Sequence, residues 1–132
     1  MTTLLEKVEN AILSEDKFVP SHAIRLMDRA NIARPSTLLV ALKAYDLGLR
    51  GTFPSTILPH IHYMPVDENG LLELIHRAKT NKKDKDWFVR LIKNANTDLL
   101  IQYEEEMKGL VKPKFFQTLK QIKSFDERKL IE

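Results

Sequence analysis

The 132-residue chain contains no cysteine, and this absence excludes several kinds of chemistry at once. Disulfide bonds, thiolate metal sites and thiol redox reactions all require a residue that the chain lacks. Its four glycines are scattered and form no Gly-rich phosphate-binding loop, and neither a Gly-x-Ser-x-Gly nor a His-Glu-x-x-His motif occurs. We therefore expect a non-enzymatic protein that needs no cofactor.

Long apolar runs are also absent. The longest uncharged stretch, residues 51–66, is too short to cross a bilayer and is interrupted by three prolines. The first residues become amphipathic at once, which is not typical of a secretory signal. The hydrophobic content of 43% and the charged content of 30% are ordinary for a folded protein. We expect an intracellular, cytoplasmic protein that does not act on a membrane.

Apolar residues recur at helical spacing along most of the chain, and no alternation typical of a strand is present. Thr3 and Asp67 are suited to cap helices, and Pro35 and Pro113 are suited to first helical turns. The sequence predicts an all-α protein with six or seven short-to-medium helices in an orthogonal bundle. We interpret residues 1–132 as one domain, with two sub-layers, 1–50 and 66–125, joined by the proline-rich segment 51–65.

Residues 35–49 are predicted to form a buried central helix because they are apolar on nearly all sides. Only Lys43 and Asp46 carry charge between Pro35 and Leu49. Residues 23–49 also have the proportions of a helix-turn-helix motif, but a recognition helix must present polar side chains to base edges. Because this helix is largely aliphatic, we favour a place in the core.

Positive charge is concentrated in residues 77–93, whereas residues 1–50 are nearly balanced. Such a cluster is typical of a surface that holds phosphates without reading sequence, although a solvated loop has the same composition. Two acids, Asp84 and Asp86, lie within it. The candidate residues for binding nucleic acid or another anion are Arg77, Lys79, Lys82, Lys83, Lys85, Arg90 and Lys93.

A second group of residues suggests contact with another protein or with a second copy of the chain. The proline-broken segment 51–66 holds more apolar side chains than one short helix can bury, and an exposed apolar patch is the usual sign of a docking surface. The alternative is that these residues close the core. The candidates are Phe53, Ile57, Ile61, Tyr63, Met64, Phe115 and Phe116.

His60 and His62 are the remaining candidates, because two imidazoles two residues apart can share a metal ion. Nothing in the sequence fixes a third ligand, so we predict no metal site. Taken together, the sequence favours a helical binding or regulatory protein that acts through a protein–protein surface. Nucleic-acid binding through residues 77–93 is the alternative.

Overall fold

The computed structural model describes residues 3–16, 18–30, 32–48 and 64–131, with side chains as far as Phe125 apart from those of residues 21 and 28. α-Helix accounts for 69% of these residues, and they contain no strand. The predicted all-α class is confirmed. The seven helices in this part of the chain are α1 (Leu4–Ala11), α2 (Val19–Arg29), α3 (Pro35–Asp46), α4 (Glu68–Thr80), α5 (Lys85–Ile92), α6 (Thr97–Gln102) and α7 (Pro113–Ile131).

Side-chain caps determine where several helices begin. The Thr3 hydroxyl accepts a hydrogen bond from the Glu6 backbone N–H at 3.1 Å, and an Asp67 carboxylate oxygen accepts one from the Gly70 N–H at 2.8 Å. The sequence predicts both of these caps. The cap of α6 is Asn96, whose side-chain oxygen accepts a hydrogen bond from the Leu99 backbone N–H at 2.8 Å. Each cap satisfies a backbone donor that the helix leaves unpaired.

The helices pack mainly with their neighbours in sequence: α1 with α2, α4 with α5, and α6 with α7. Helix α3 contacts both α1 and α4, so it connects the first pair to the second. The segment before α4 lies against the end of α5, where the Asn94 side-chain amide donates a hydrogen bond to the Met64 carbonyl at 3.1 Å. These contacts hold α5 against α4 and against the segment that precedes α4.

Helix α3 is buried on one side only. Leu38, Ala41 and Leu42 lie in the core, but Leu39 is exposed and Leu47, just beyond the helix, is 61% exposed. The expectation of burial on nearly all sides is therefore wrong for these two leucines, because contacts with α1 and α4 cover only part of the helix surface. None of the helices in the described ranges combines the length and apolarity needed to cross a membrane.

Candidate functional site

The loop before α5 is organised around a buried acid, Asp84, which is only 7% exposed. The Tyr45 hydroxyl donates a hydrogen bond to an Asp84 carboxylate oxygen at 2.5 Å, and the Asn81 amide donates to the Tyr45 hydroxyl at 2.8 Å. Burial, followed by the hydrogen bond to Asp84, raises the pKa of Tyr45 above its usual value, so this hydroxyl stays protonated. The network turns the acid away from the surface.

This inward turn changes the electrostatics of the predicted basic cluster. Lys82 and Lys83, which precede Asp84 in the same loop, remain exposed, whereas Asp84 is inside. Asp86 is then the one acid of residues 77–93 on the surface. Although Asp84 occupies the N-cap position of α5, its side chain makes no capping hydrogen bond. The accessible surface of the loop therefore presents Lys82 and Lys83 without the Asp84 carboxylate.

Two cations on α5 lie against aromatic rings. The Arg90 guanidinium carbon is 4.8 Å from the centre of the Trp87 ring, and the Lys93 ammonium nitrogen is 5.2 Å from the centre of the Phe115 ring. Both distances fall within the range of cation–π contacts. Arg90 and Lys93 are nevertheless exposed. The outer surface of α5 thus presents positive charge directly beside aromatic surface.

A cleft of about 510 Å³ lies between the end of α5 and the first turns of α7. Two lysines that the sequence cluster did not include, Lys112 and Lys114, meet Lys93 there, and both are exposed. The positive end of the α7 helix dipole adds to the potential there. The residues lining the cleft are Val89, Lys93, Leu110, Val111, Lys112, Lys114, Phe115 and Thr118.

A second cleft, of about 600 Å³, lies between the end of α3, α4 and the α4–α5 loop, and its lining includes Lys82 and Lys83. Its walls are dominated by an ion-pair network rather than by free cations. Arg77 donates hydrogen bonds to both Asp46 carboxylate oxygens at 2.7 Å and to a Glu73 oxygen at 2.8 Å. This pairing lowers the pKa of Asp46 and raises that of Arg77. Arg77 is thus already neutralised, and we leave it out of the candidate surface.

The other predicted cations have no such partners. Within the described ranges, Lys108, Lys120 and Lys123 each form an ion pair with an acid. No ion pair in these ranges involves a lysine or arginine of residues 79–93, or Lys112 or Lys114. Lys79 is exposed near the end of α4, and Lys85 is half-buried at the start of α5. We define the α5 surface as Lys82, Lys83, Arg90, Lys93, Lys112 and Lys114.

The predicted protein-contact residues are distributed differently. Phe53, Ile57, Ile61 and Tyr63 lie outside the described residues. Met64 is buried, and Phe116 is only 2% exposed, so both belong to the core. Phe115 is half-buried and lines the α5–α7 cleft. Of this set, Phe115 alone contributes to a described surface.

The metal hypothesis for His60 and His62 also falls outside the described residues. Among the residues that the structure does describe, no three or more His, Asp or Glu side chains are placed to hold a metal ion.

An apolar groove of about 300 Å³ lies between α1 and α2. Leu26, which lines it, is 53% exposed, and Phe18 just before α2 is 61% exposed. The residues lining the groove are Lys7, Val8, Ala11, Val19, His22, Ala23 and Leu26. Sequence reasoning did not identify this groove, because it forms only when two helices pack.

The position of Glu9 is a further feature that the sequence predicts wrongly. Its position on α1 predicts a solvent-facing side chain, but the residue is 5% exposed. Its carboxylate accepts two hydrogen bonds from Arg34, at 2.7 and 2.9 Å, and one each from the hydroxyls of Ser36 and Thr37. The Arg34 guanidinium, helped by these hydroxyls, outweighs burial and lowers the pKa of Glu9 to about 2. This fully bonded acid joins α1 to the start of α3.

Comparison of the chain with protein-family models, with curated proteins and with solved structures gives no match.

Proposed function

We propose that the protein is a non-enzymatic binding protein that holds nucleic acid through the α5 surface. One observation carries this proposal: six exposed cations, drawn from the α4–α5 loop, α5 and the start of α7, have no ion-pair partner within the described part of the chain. A nucleic acid presents a regular series of phosphates, and lysine and arginine contacts to them supply most of its sequence-independent binding.

The dimensions of α5 are consistent with this partner. Its 8 residues span about 12 Å at the helical rise, which matches about three to four phosphate steps along one strand of B-form DNA. Arg90 and Lys93 are three residues apart and therefore project from the same side of the helix. The surface is suited to several phosphates of one strand rather than to a single anion.

The geometry favours this function over the protein–protein surface that the sequence placed first. Three of the seven residues predicted for protein contact are described, and two of these three lie in the core. Most of the predicted cationic residues, by contrast, are on the surface and unpaired. Their spatial neighbours Lys112 and Lys114 extend the cluster beyond what the sequence predicted.

The proposal is tested by removing three charges from the α5–α7 cleft with the Lys93→Ala/Lys112→Ala/Lys114→Ala variant. Fluorescence anisotropy with a labelled oligonucleotide would measure affinity at several salt concentrations. We expect at least about a tenfold loss of affinity at low salt. The salt slope should fall by about 0.7 to 0.9 for each phosphate that the variant no longer neutralises.

The matched control is Arg25→Ala/Arg29→Ala/Lys43→Ala, which removes the same charge from exposed positions on α2 and α3. This variant should retain nearly all of the affinity. Equal losses in the two variants would show that only net charge matters, and absence of binding by the unmodified protein at low salt would overturn the proposal. Thermal melting would confirm that both variants are folded.

The α1–α2 groove supports a second candidate function, self-association. Phe18 and Leu26 are large, exposed and apolar, and they lie at or beside a groove lined mainly by small or aliphatic side chains. In a two-fold dimer, the same patch occurs on both copies, so a protruding side chain of one copy meets the groove of the other. This candidate keeps the protein–protein contact expected from the sequence but places it on different residues.

A further inference from the structure

We infer that the α5 surface selects single-stranded nucleic acid and holds one unpaired base in the α5–α7 cleft. This inference rests on the proposed function and adds to it the form of the nucleic acid. It is drawn from two features of the cleft that phosphate binding alone does not use, its apolar lining and its aromatic ring.

The cleft has the size and composition of a site for a flat organic group. Its volume of about 510 Å³ falls within the range of small-molecule sites, and Val89, Leu110 and Val111 supply aliphatic surface beside the three lysines. A duplex presents phosphates and sugars to such a surface and keeps its bases stacked inside. An unpaired base, in contrast, offers an apolar face that the cleft can cover while the lysines contact the flanking phosphates.

Phe115 supplies a ring with a fixed orientation. Its ring centre is 5.5 Å from that of Phe116 at an interplanar angle of 77°, an edge-to-face contact with a residue of the core. Lys93 lies over the Phe115 ring, and its side chain is exposed. When a base stacks on this ring, the ammonium group can move a short distance to a phosphate, so the same site neutralises charge and binds the base.

Trp87 and Arg90 form a second aromatic–cation pair, and Trp87 lies one to two helical turns before Lys93. Its ring is half-buried and lies beneath the exposed Arg90. Two aromatic–cation pairs along one surface are typical of proteins that bind single strands, in which bases stack on rings and the backbone follows the positive charge. Phosphates of a duplex would contact the two cations, whereas only an unpaired base could also stack on the rings.

The experiment compares one oligonucleotide as a single strand and as a duplex, with wild-type protein and with the Phe115→Leu variant. We expect the single strand to bind at least about tenfold more tightly than the duplex. Phe115→Leu should reduce single-strand affinity by about 5- to 150-fold, corresponding to the loss of about 1 to 3 kcal/mol of stacking for one base. Duplex affinity and the salt slope should stay unchanged. The matched control is Phe125→Leu, an exposed position on the same helix, which should bind normally.

A measurement without any substitution guards against a variant that fails to fold. Trp87 is the one tryptophan of the chain, so its fluorescence reports directly on the α5 surface. We expect the single strand to quench this fluorescence more strongly than the duplex or heparin, a polyanion that has no bases. Equal quenching by all three would contradict the inference.

The outcomes separate this inference from the proposed function. If the duplex binds as tightly as the single strand and Phe115→Leu has no effect, while the triple lysine variant still binds weakly, the α5 surface is a simple phosphate surface and the base site does not exist. If neither nucleic acid binds at low salt, the proposed function fails together with the inference.

Discussion

Glu9 illustrates how one residue can join two parts of a chain that lie far apart in sequence. Its carboxylate accepts four hydrogen bonds from Arg34, Ser36 and Thr37, all at the start of α3. The Thr37 hydroxyl also accepts a hydrogen bond from the Arg34 backbone N–H at 3.1 Å, so the same group shapes the beginning of the helix. A buried carboxylate is tolerated here because every donor around it stabilises its charged form.

This cluster predicts a specific dependence of stability on pH. The pKa of Glu9 is about 2 in the folded protein and near 4.5 when unperturbed. Because the folded-state pKa is the lower one, the stabilisation is complete above a pH of about 4.5 and is lost as the pH falls towards about 2. Glu9→Gln should lower the free energy of unfolding by about 2 to 3 kcal/mol at neutral pH.

Urea unfolding of wild-type protein and variant, from neutral pH down to pH of about 2.5, measures this effect. The difference between them should shrink as the pH falls. Glu15→Gln, at an exposed position between α1 and α2, is the control and should change stability little. A constant difference across the pH range would contradict the assignment of the Glu9 charge to this network.

At the scale of elements, the contact between Tyr45 and Asp84 joins the end of α3 to the start of α5. Tyr45→Phe removes the hydroxyl that donates to Asp84 and accepts from Asn81. We expect a decrease of about 1 to 2 kcal/mol in the free energy of unfolding, because the buried acid loses a hydrogen-bond donor. The edge contact of the Tyr45 ring with Phe88 should persist in the variant.

Alkaline titration provides the check on this contact. The pKa of Tyr45 is raised, so the stabilisation is present below its unperturbed value of 10 and is lost as the pH rises through the folded-state pKa. The pKa of Tyr103 is raised as well, so the absorbance of the phenolate should show late-ionising tyrosines in the wild-type protein, and this late component should lose the amplitude of one tyrosine in the variant. If the variant instead loses one tyrosine from the early part of the titration, the pKa of Tyr45 is not raised.

The helices themselves could be predicted well from the sequence, because their causes are local. Hydrophobic spacing, the caps at Thr3 and Asp67, and the proline of the first turn of α7 all act within a few residues.

The sequence predicts that Gly109 ends the helix that begins near Thr97, but α6 ends at Gln102 and a 3₁₀ turn, Glu105–Met107, lies between α6 and Gly109. Gly109 still stops that turn, with a φ of 83°.

The candidate site was predicted only in part, because its boundaries depend on contacts between distant residues. The pairing of Arg77 with Asp46 bridges two helices and removes a predicted member of the cluster. Packing of the start of α7 against α5 adds Lys112 and Lys114, which are about twenty residues away in sequence. No local pattern distinguishes a lysine that will find an acid from one that will not.

At the scale of the whole molecule, the proposed self-association through the α1–α2 groove predicts a mass that rises with concentration. Light scattering after size exclusion would measure it. Leu26→Glu, which places a charge in the groove, should keep the protein monomeric. The control is Leu47→Glu, at a similarly exposed leucine beyond α3, which should still associate. A wild-type protein that stays monomeric at all concentrations would exclude this role.

The inward turn of Asp84 has a consequence for how charge is judged in such proteins. Every acid counts equally in the formal net charge of +3, including the buried Asp84, which accepts a hydrogen bond from the Tyr45 hydroxyl. The groups of this loop that an approaching polyanion can touch are the exposed Lys82 and Lys83, whereas the Asp84 carboxylate lies out of its reach. A chain of modest net charge can therefore expose basic side chains to a polyanion without any additional basic residue in its sequence.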